Sequence, residues 1–396
     1  MDNPALTLGL AMALGMMSQV IARKFYLPGI VVLLAAGVIF GPDGLSWIQP
    51  SSLGPALQII VGFAVAVILF EGGMNLRISR IKREELAIRG LITIGALITL
   101  IGGTLAALLI LGWDFRTSIL FGTLIIVTGP TVITPLLKRV RLQHGVSTVL
   151  EAEGILLDAI GAIVAVVALE IALSPSGLSF IKGLFHIISR LTVGTILGIA
   201  GGGLLSLLFR IRKLIPEGLE NVFILSWVFA LFQLANTASP ESGIAAVTIA
   251  GMTIGNSKTY IQRELLEFKE QLTVLMIGML FILLAADVRI TDIQLLGLKG
   301  ILTVLFLMLV IRPLSVFAAT ANSDLDTRHK LLLSWIAPRG IVAAAVASLF
   351  AFELNQHGYD GAQLRALVFL LITMTVLSAG ITGGWISSLL GLRRKS

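Results

Sequence analysis

Acidic residues interrupt the run Leu150–Leu173, LEAEGILLDAIGAIVAVVALEIAL, which is otherwise almost wholly apolar. A helix that crosses a bilayer needs about 20 such residues, and this run is long enough. Asp158 falls near its middle, with Glu151 and Glu153 one to two turns earlier. A carboxylate at that depth costs roughly 3 kcal/mol or more on insertion scales, so an acid there marks a proton or ion path by default. On a helix, Glu151, Gly154, Ile155 and Asp158 share one face, while Glu153 shares its face with Leu157. Gly154 leaves space beneath Asp158. A carboxyl in a narrow polar cavity can hold a proton or a dehydrated alkali cation, not both. Hard oxygen ligands would complete such a cation's shell, as carbonyl oxygens do in ion filters.

Two further stretches break apolar segments at membrane depth. Thr128-Gly129-Pro130 interrupts the apolar segment Phe115–Leu137, and Pro338-Arg339-Gly340 interrupts SWIAPRGIVAAAVASL. Proline removes a backbone donor and frees carbonyls one turn back. Freed backbone is tolerated at membrane depth only where it lines a cavity or is buried in protein. An arginine at that depth, Arg339, needs an acid partner. Two other arginines lie inside apolar segments, Arg190 and Arg312, and neither carries an assigned role.

The elements that must position these residues follow from the whole composition. Of 396 residues, 56% are hydrophobic and 13% charged. A soluble domain would carry about twice that charge. The reading is an all-α polytopic membrane protein, one transmembrane domain over residues 1–396, with no separate soluble domain. The formal charge of +7 does not point to nucleic acid, because the basic residues sit in short loops between apolar segments. With no cysteine, thiolate metal sites and cysteine nucleophiles are excluded, and the four histidines are scattered. The start MDNPALTL has no basic region, so no cleaved signal peptide is expected. No GxxxxGK[ST] loop occurs, so ATP does not drive the protein. No cofactor is expected, and a secondary transporter is favoured over an enzyme.

Hydropathy predicts about thirteen transmembrane helices. One set of alternate connections then carries 21 basic residues, the other only Arg116, Lys182, Arg289, Lys299 and Arg365. The bias places the N-terminus outside and the C-terminus in the cytoplasm.

The chain also repeats itself. PGIVVLLAAGVIFGP (28–42) resembles SGIAAVTIAGMTIGN (242–256), Asn75-Leu-Arg-Ile-Ser79 resembles Asp287-Val-Arg-Ile-Thr291, and the break at Pro130 finds a counterpart at Pro338. An odd number of spans separates the copies, so they run in opposite directions. Two inverted repeats, about 28–173 and 241–391, with discontinuous crossing helices in matching places, point to a secondary transporter with a mid-membrane site. Gly194, Gly198 and Gly202 form a GxxxGxxxG row that permits close helix packing, within a protomer or between protomers.

With these residues in view, the chain resembles the monovalent cation/proton antiporters, specifically the bacterial sodium/proton exchangers of the first cation/proton antiporter branch. The resemblance rests on PGIVVLLAAGVIFGP, LFEGGMNLR (69–77), TGPTVITPLLKR (128–139), EGILLDA (153–159) and PRGIVAAAVASL (338–349). It implies that Asp158 is the essential ion- and proton-binding acid, five residues after Glu153. It implies that Glu153 pairs with Arg339 in the second broken span, and that Thr128 and the backbone at the first break supply oxygens to the ion. It places Glu71, from the FEGG motif, near the ion route. Two positions depart from the family pattern: Leu157 stands where Asn or Asp is usual, and Gly129 replaces the usual Asp at the break.

The expected function is exchange of a monovalent cation for H+ by alternating access, with Na+ preferred and Li+ or K+ possible. A rival within the class is the membrane domain of a K+/H+ efflux antiporter without its cytosolic regulatory domain. Rivals from other classes are a cation channel and a symporter or receptor for an organic anion centred on Arg339. The expected partners are monovalent cations, protons and the lipid bilayer, in a homodimer in a bacterial inner membrane.

Overall fold

The computed structural model describes residues 3–392 apart from 26, 130–132, 134–136, 138–143, 174–178, 212–214, 217–218, 258–262 and 338. The described residues are helical, with no strand among them. The main helices are α1 (Pro4–Lys24), α2 (Gly29–Phe40), α3 (Ala56–Asn75), α4 (Glu85–Leu111), α5 (Phe115–Leu124), α6 (His144–Leu173) and α7 (Ser179–Arg210). They continue with α8 (Glu220–Ala238), α9 (Ser242–Gly255), α10 (Arg263–Ala286), α11 (Ile290–Ala319), α12 (Thr327–Trp335), α13 (Ile341–Gln356) and α14 (Ala362–Leu389). Eight of them are long and apolar enough to cross a membrane alone: α1, α3, α4, α6, α7, α8, α11 and α14. Side chains such as Leu109, Leu298 and Ile381 are exposed on the outer surface, as expected where the solvent is hydrocarbon.

Local chemistry fixes where several helices begin. Asn3 caps α1, accepting from the amides of Ala5 and Leu6, and Pro4 fills the first turn where no donor is needed. Asp114 caps α5 through the Thr117 amide, and Asp326 caps α12 through the His329 amide. Gly297 bends α11 with a φ of +52°, a conformation that favours glycine.

The helices pack as two bundles. In one, α9 lies at the centre against α3, α7 and α8, and α10 packs on α1, α2 and α3. In the other, α5 joins α4 to α6, α11 packs on α4, α12 and α14, and α13 on α6 and α14. The seam between them is narrower and runs where α6 meets α7 and α9, and where α13 meets α3 and α10.

The glycine row on α7 packs inside the protomer. A Cβ on Gly194, Gly198 or Gly202 would come within 2.6–2.7 Å of the carbonyl oxygens of Ser242, Ala246 and Ala250 along α9. The small residues therefore let two backbones touch, a contact that favours helix association in lipid. Gly198→Val should overpack this contact and cost about 1–3 kcal/mol, lowering the melting temperature of the purified protein. Gly203→Val, whose added atom would meet nothing within 4 Å, is the control and should melt like the parent.

Candidate functional site

Asp158 sits on α6 and is 0% exposed. Among the described residues neither of its carboxylate oxygens has a hydrogen-bond partner. A buried charge left in that state is costly, so the group calls for a proton or a cation to complete it.

The first helix break lies against α6 at the same level. α5 ends at Leu124, and Val127–Gly129 runs on without helical structure. The Thr128 hydroxyl, 2% exposed, donates to the Glu153 carbonyl at 3.3 Å. Further along α6, a Cβ on Gly161 would meet the Val127 backbone at 3.2 Å. The break therefore spans the stretch of α6 that contains Asp158. Gly154, Leu157 and Gly129 are all buried in this region. Pro130 lies outside the described residues.

The second break separates α12 from α13. Ile336, Ala337, Arg339 and Gly340 are non-helical, and Gly340 starts α13 in an extended conformation. Pro338 lies outside the described residues. The last carbonyls of α12 have no partner within that helix. Arg312 on α11 fills the gap: its Nε and Nη2 donate to the Leu333 carbonyl at 3.3 and 3.1 Å.

The same guanidinium takes Glu153. Arg312 Nη1 donates to Glu153 Oε1 at 2.5 Å, and Nη2 donates to Oε2 at 2.9 Å. This is the two-pronged geometry in which arginine binds carboxylate most strongly. The expected contact of Glu153 with Arg339 is thus corrected: the direct partner is Arg312. The physical reason is reach and saturation, because both carboxylate oxygens are engaged by one planar fork that also caps α12. Arg339 is buried within electrostatic range of both Glu153 and Arg312, and its Nε has no hydrogen-bond partner among the described residues. Two arginines therefore share the field of one glutamate. Sequence reasoning misses this role of Arg312, although the residue is visible as an arginine within an apolar segment.

Glu71 stands in the other bundle. It lies near the C-terminal end of α3 and lines a small cavity with Asn221 of α8 and Thr273 of α10. The structure thus brings Asp158, Thr128 and Glu153 together on α6 and the first break, with Glu71 across the seam. Among the described residues no three His, Asp or Glu side chains cluster as a metal site.

Residues 9–391 match the family described as "Sodium/hydrogen exchanger, transmembrane". The chain belongs to this family. Among curated members of the exchanger family, it is similar to the K(+)/H(+) antiporter NhaP2 of Shewanella oneidensis, with 29% identity over 381 residues. That alignment covers 93% of this chain and 63% of the relative, so the chain spans less than two thirds of that protein's length. It is also similar to the Na(+)/H(+) antiporter 1 of Methanocaldococcus jannaschii, 27% identical over 375 residues, covering 88% of this chain and 84% of the relative. Its fold resembles the solved sodium proton antiporter MjNhaP1 from the same organism, with a TM-score of 0.85 over 97% of this chain and 98% of that one, at 24% identity. At that identity the likeness establishes the fold.

Proposed function

We propose that this chain is a secondary antiporter that exchanges a monovalent alkali cation for protons by alternating access. The observation that carries the reading is Asp158, fully buried and without a protein partner for either oxygen among the described residues, level with a broken helix. The Thr128 hydroxyl and the backbone carbonyls at the break are the neutral ligands, and Gly154 is the small neighbour that leaves room. The proton and the cation compete for one carboxylate. The empty, charged carboxylate does not cross between access states, so each stroke carries one or the other. The seam between the two bundles is the surface along which one bundle moves.

Glu153 and Arg312 hold α6, α11 and α12 together beside the site and take no part in the exchange. Glu71 lines the approach from the more basic end of the protein. The topology that goes with this reading has about thirteen crossings, two inverted repeats, an outside N-terminus and a cytoplasmic C-terminus. The cations and protons are cargo, and no cofactor is involved. The expected setting is a homodimer in a bacterial inner membrane.

Na+ is the preferred cation. The relatives' names support two readings, because one is called a Na(+)/H(+) antiporter and another a K(+)/H(+) antiporter. The deciding experiment is proton flux in proteoliposomes on addition of Na+, Li+ or K+. Proton release with Na+ and Li+ supports the first reading, release with K+ alone the second, and no release with any of them overturns both.

The same vesicles test stoichiometry. Leu157 cannot ionise, so one exchangeable carboxylate serves both strokes. One cation then moves per proton, and the exchange is electroneutral. A membrane potential acts with about 2.3 kcal/mol per elementary charge per 100 mV, but here it has no net charge to act on. With the potential clamped by K+ and valinomycin, the end-point Na+ gradient against a fixed pH gradient should not move with voltage. A shift would mean a second titrating group, with Glu71 or Glu151 the first suspects.

A further inference from the structure

Among the described residues, three arginine–carboxylate pairs outside the site cross the seam between the bundles. Asp43, after α2, accepts from Arg289 Nη1 at 2.8 Å at the start of α11. Asp287, after α10, accepts from Arg365 Nη1 on α14 at 2.5 Å. Glu170, on α6, accepts from Arg190 Nη2 on α7 at 2.7 Å. All three pairs lie towards the end of the protein whose connections carry few basic residues.

The internal repeat shows what stands at the related joint of the opposite end. Asp43 Oδ2 also accepts from the Ile290 amide at 2.6 Å. At the other end, Asn256 Oδ1 accepts from the Ile78 amide at 2.9 Å. The two contacts are the same joint, from the end of a helix in one bundle to the chain entering the other bundle. Ile290 and Arg289 correspond to Ile78 and Arg77, and Asp287 corresponds to Asn75. Asn256 takes the place of Asp43 by its contact, one position out of register with the sequence repeat. Two acids of one end are therefore amides at the other. Asp43 is held in its charged form: burial pushes its carboxyl up, but the Ile290 amide and Arg289 outweigh this and keep it below its ordinary value.

We infer that the three ion pairs are a latch that holds the seam shut at the sparsely basic end, while the amides at the related joint leave the basic end freer to open. The two access states are then unequal, and the protein rests with its site closed to the sparsely basic side. This rests on the alternating-access reading, but its test does not require transport.

The chain has no cysteine, so a single reporter can be introduced. Val167→Cys places it on α6 at the seam, where Gly183 of α7 packs against Val167. Val304→Cys, at 0% exposure inside one bundle, reports loosening of the fold. The test variant, Asp43→Asn with Asp287→Asn, copies the amides that the protein already uses at the other end. In nanodiscs, labelling of Val167→Cys by a bulky, charged maleimide should rise roughly five- to tenfold in the test variant, with Val304→Cys unchanged. Equal labelling at Val167→Cys, or a matching rise at Val304→Cys, overturns the latch. Proton flux of the same proteins, read separately, tests the exchange reading, so the two can fail independently.

Discussion

On the proposed mechanism, Asp158→Asn should give a folded protein that does not exchange cations for protons. The amide is nearly isosteric with the acid, and the wild-type carboxyl gives up no protein hydrogen bond among the described residues. Folding therefore loses little, and the melting temperature should stay at or above that of the parent. Function loses its one exchangeable group. Flux should fall to the level of protein-free vesicles with Na+, Li+ and K+ alike. Binding gives a second readout. A cation that binds the folded state at 100 times its Kd stabilises it by about 2.7 kcal/mol, so the parent should melt higher in saturating Na+ and the variant should not. A variant that still exchanged near the parental rate would place the coupling acid elsewhere, with Glu71 the first alternative.

The membrane class and the deep burial of Asp158 are legible in the sequence for one reason. Lipid penalises polar groups, so every retained one carries information. The breaks at Thr128-Gly129 and Arg339-Gly340 are legible on similar grounds, since proline and glycine in an apolar run announce freed backbone. The partner of Glu153 is not. Arg312 and Arg339 are both arginines in apolar segments, and spacing along the chain does not say which guanidinium reaches a carboxylate on α6. What decides it is the Leu333 carbonyl, freed by the end of α12, which holds Arg312 in place for Glu153. That carbonyl belongs to a third helix and leaves no mark on the sequence near either charge. The packing of Gly194, Gly198 and Gly202 is hidden in the same way, because a small-residue row fits any close neighbour until α9 is seen against it.

Arg312→Ala should be the most destabilising single change near the site. It leaves Glu153 buried at 2% exposure without its two-pronged partner, and it strands the Leu333 carbonyl at the end of α12. Removing one partner of a buried ion pair costs roughly 3–5 kcal/mol, more than the overpacking expected at Gly198. The melting temperature and the yield of folded protein should both fall. Glu153→Gln in the same chain removes the stranded charge and should recover part of the loss, although the orphaned carbonyl remains. Arg339 provides the contrast. It shares the field of Glu153, whose two carboxylate oxygens are both taken by Arg312. The coupling of Arg339→Ala with Glu153→Gln should therefore be smaller than that of Arg312→Ala with the same change. Larger coupling to Arg339, or additive losses for Arg312→Ala and Glu153→Gln, would return the direct contact to Arg339.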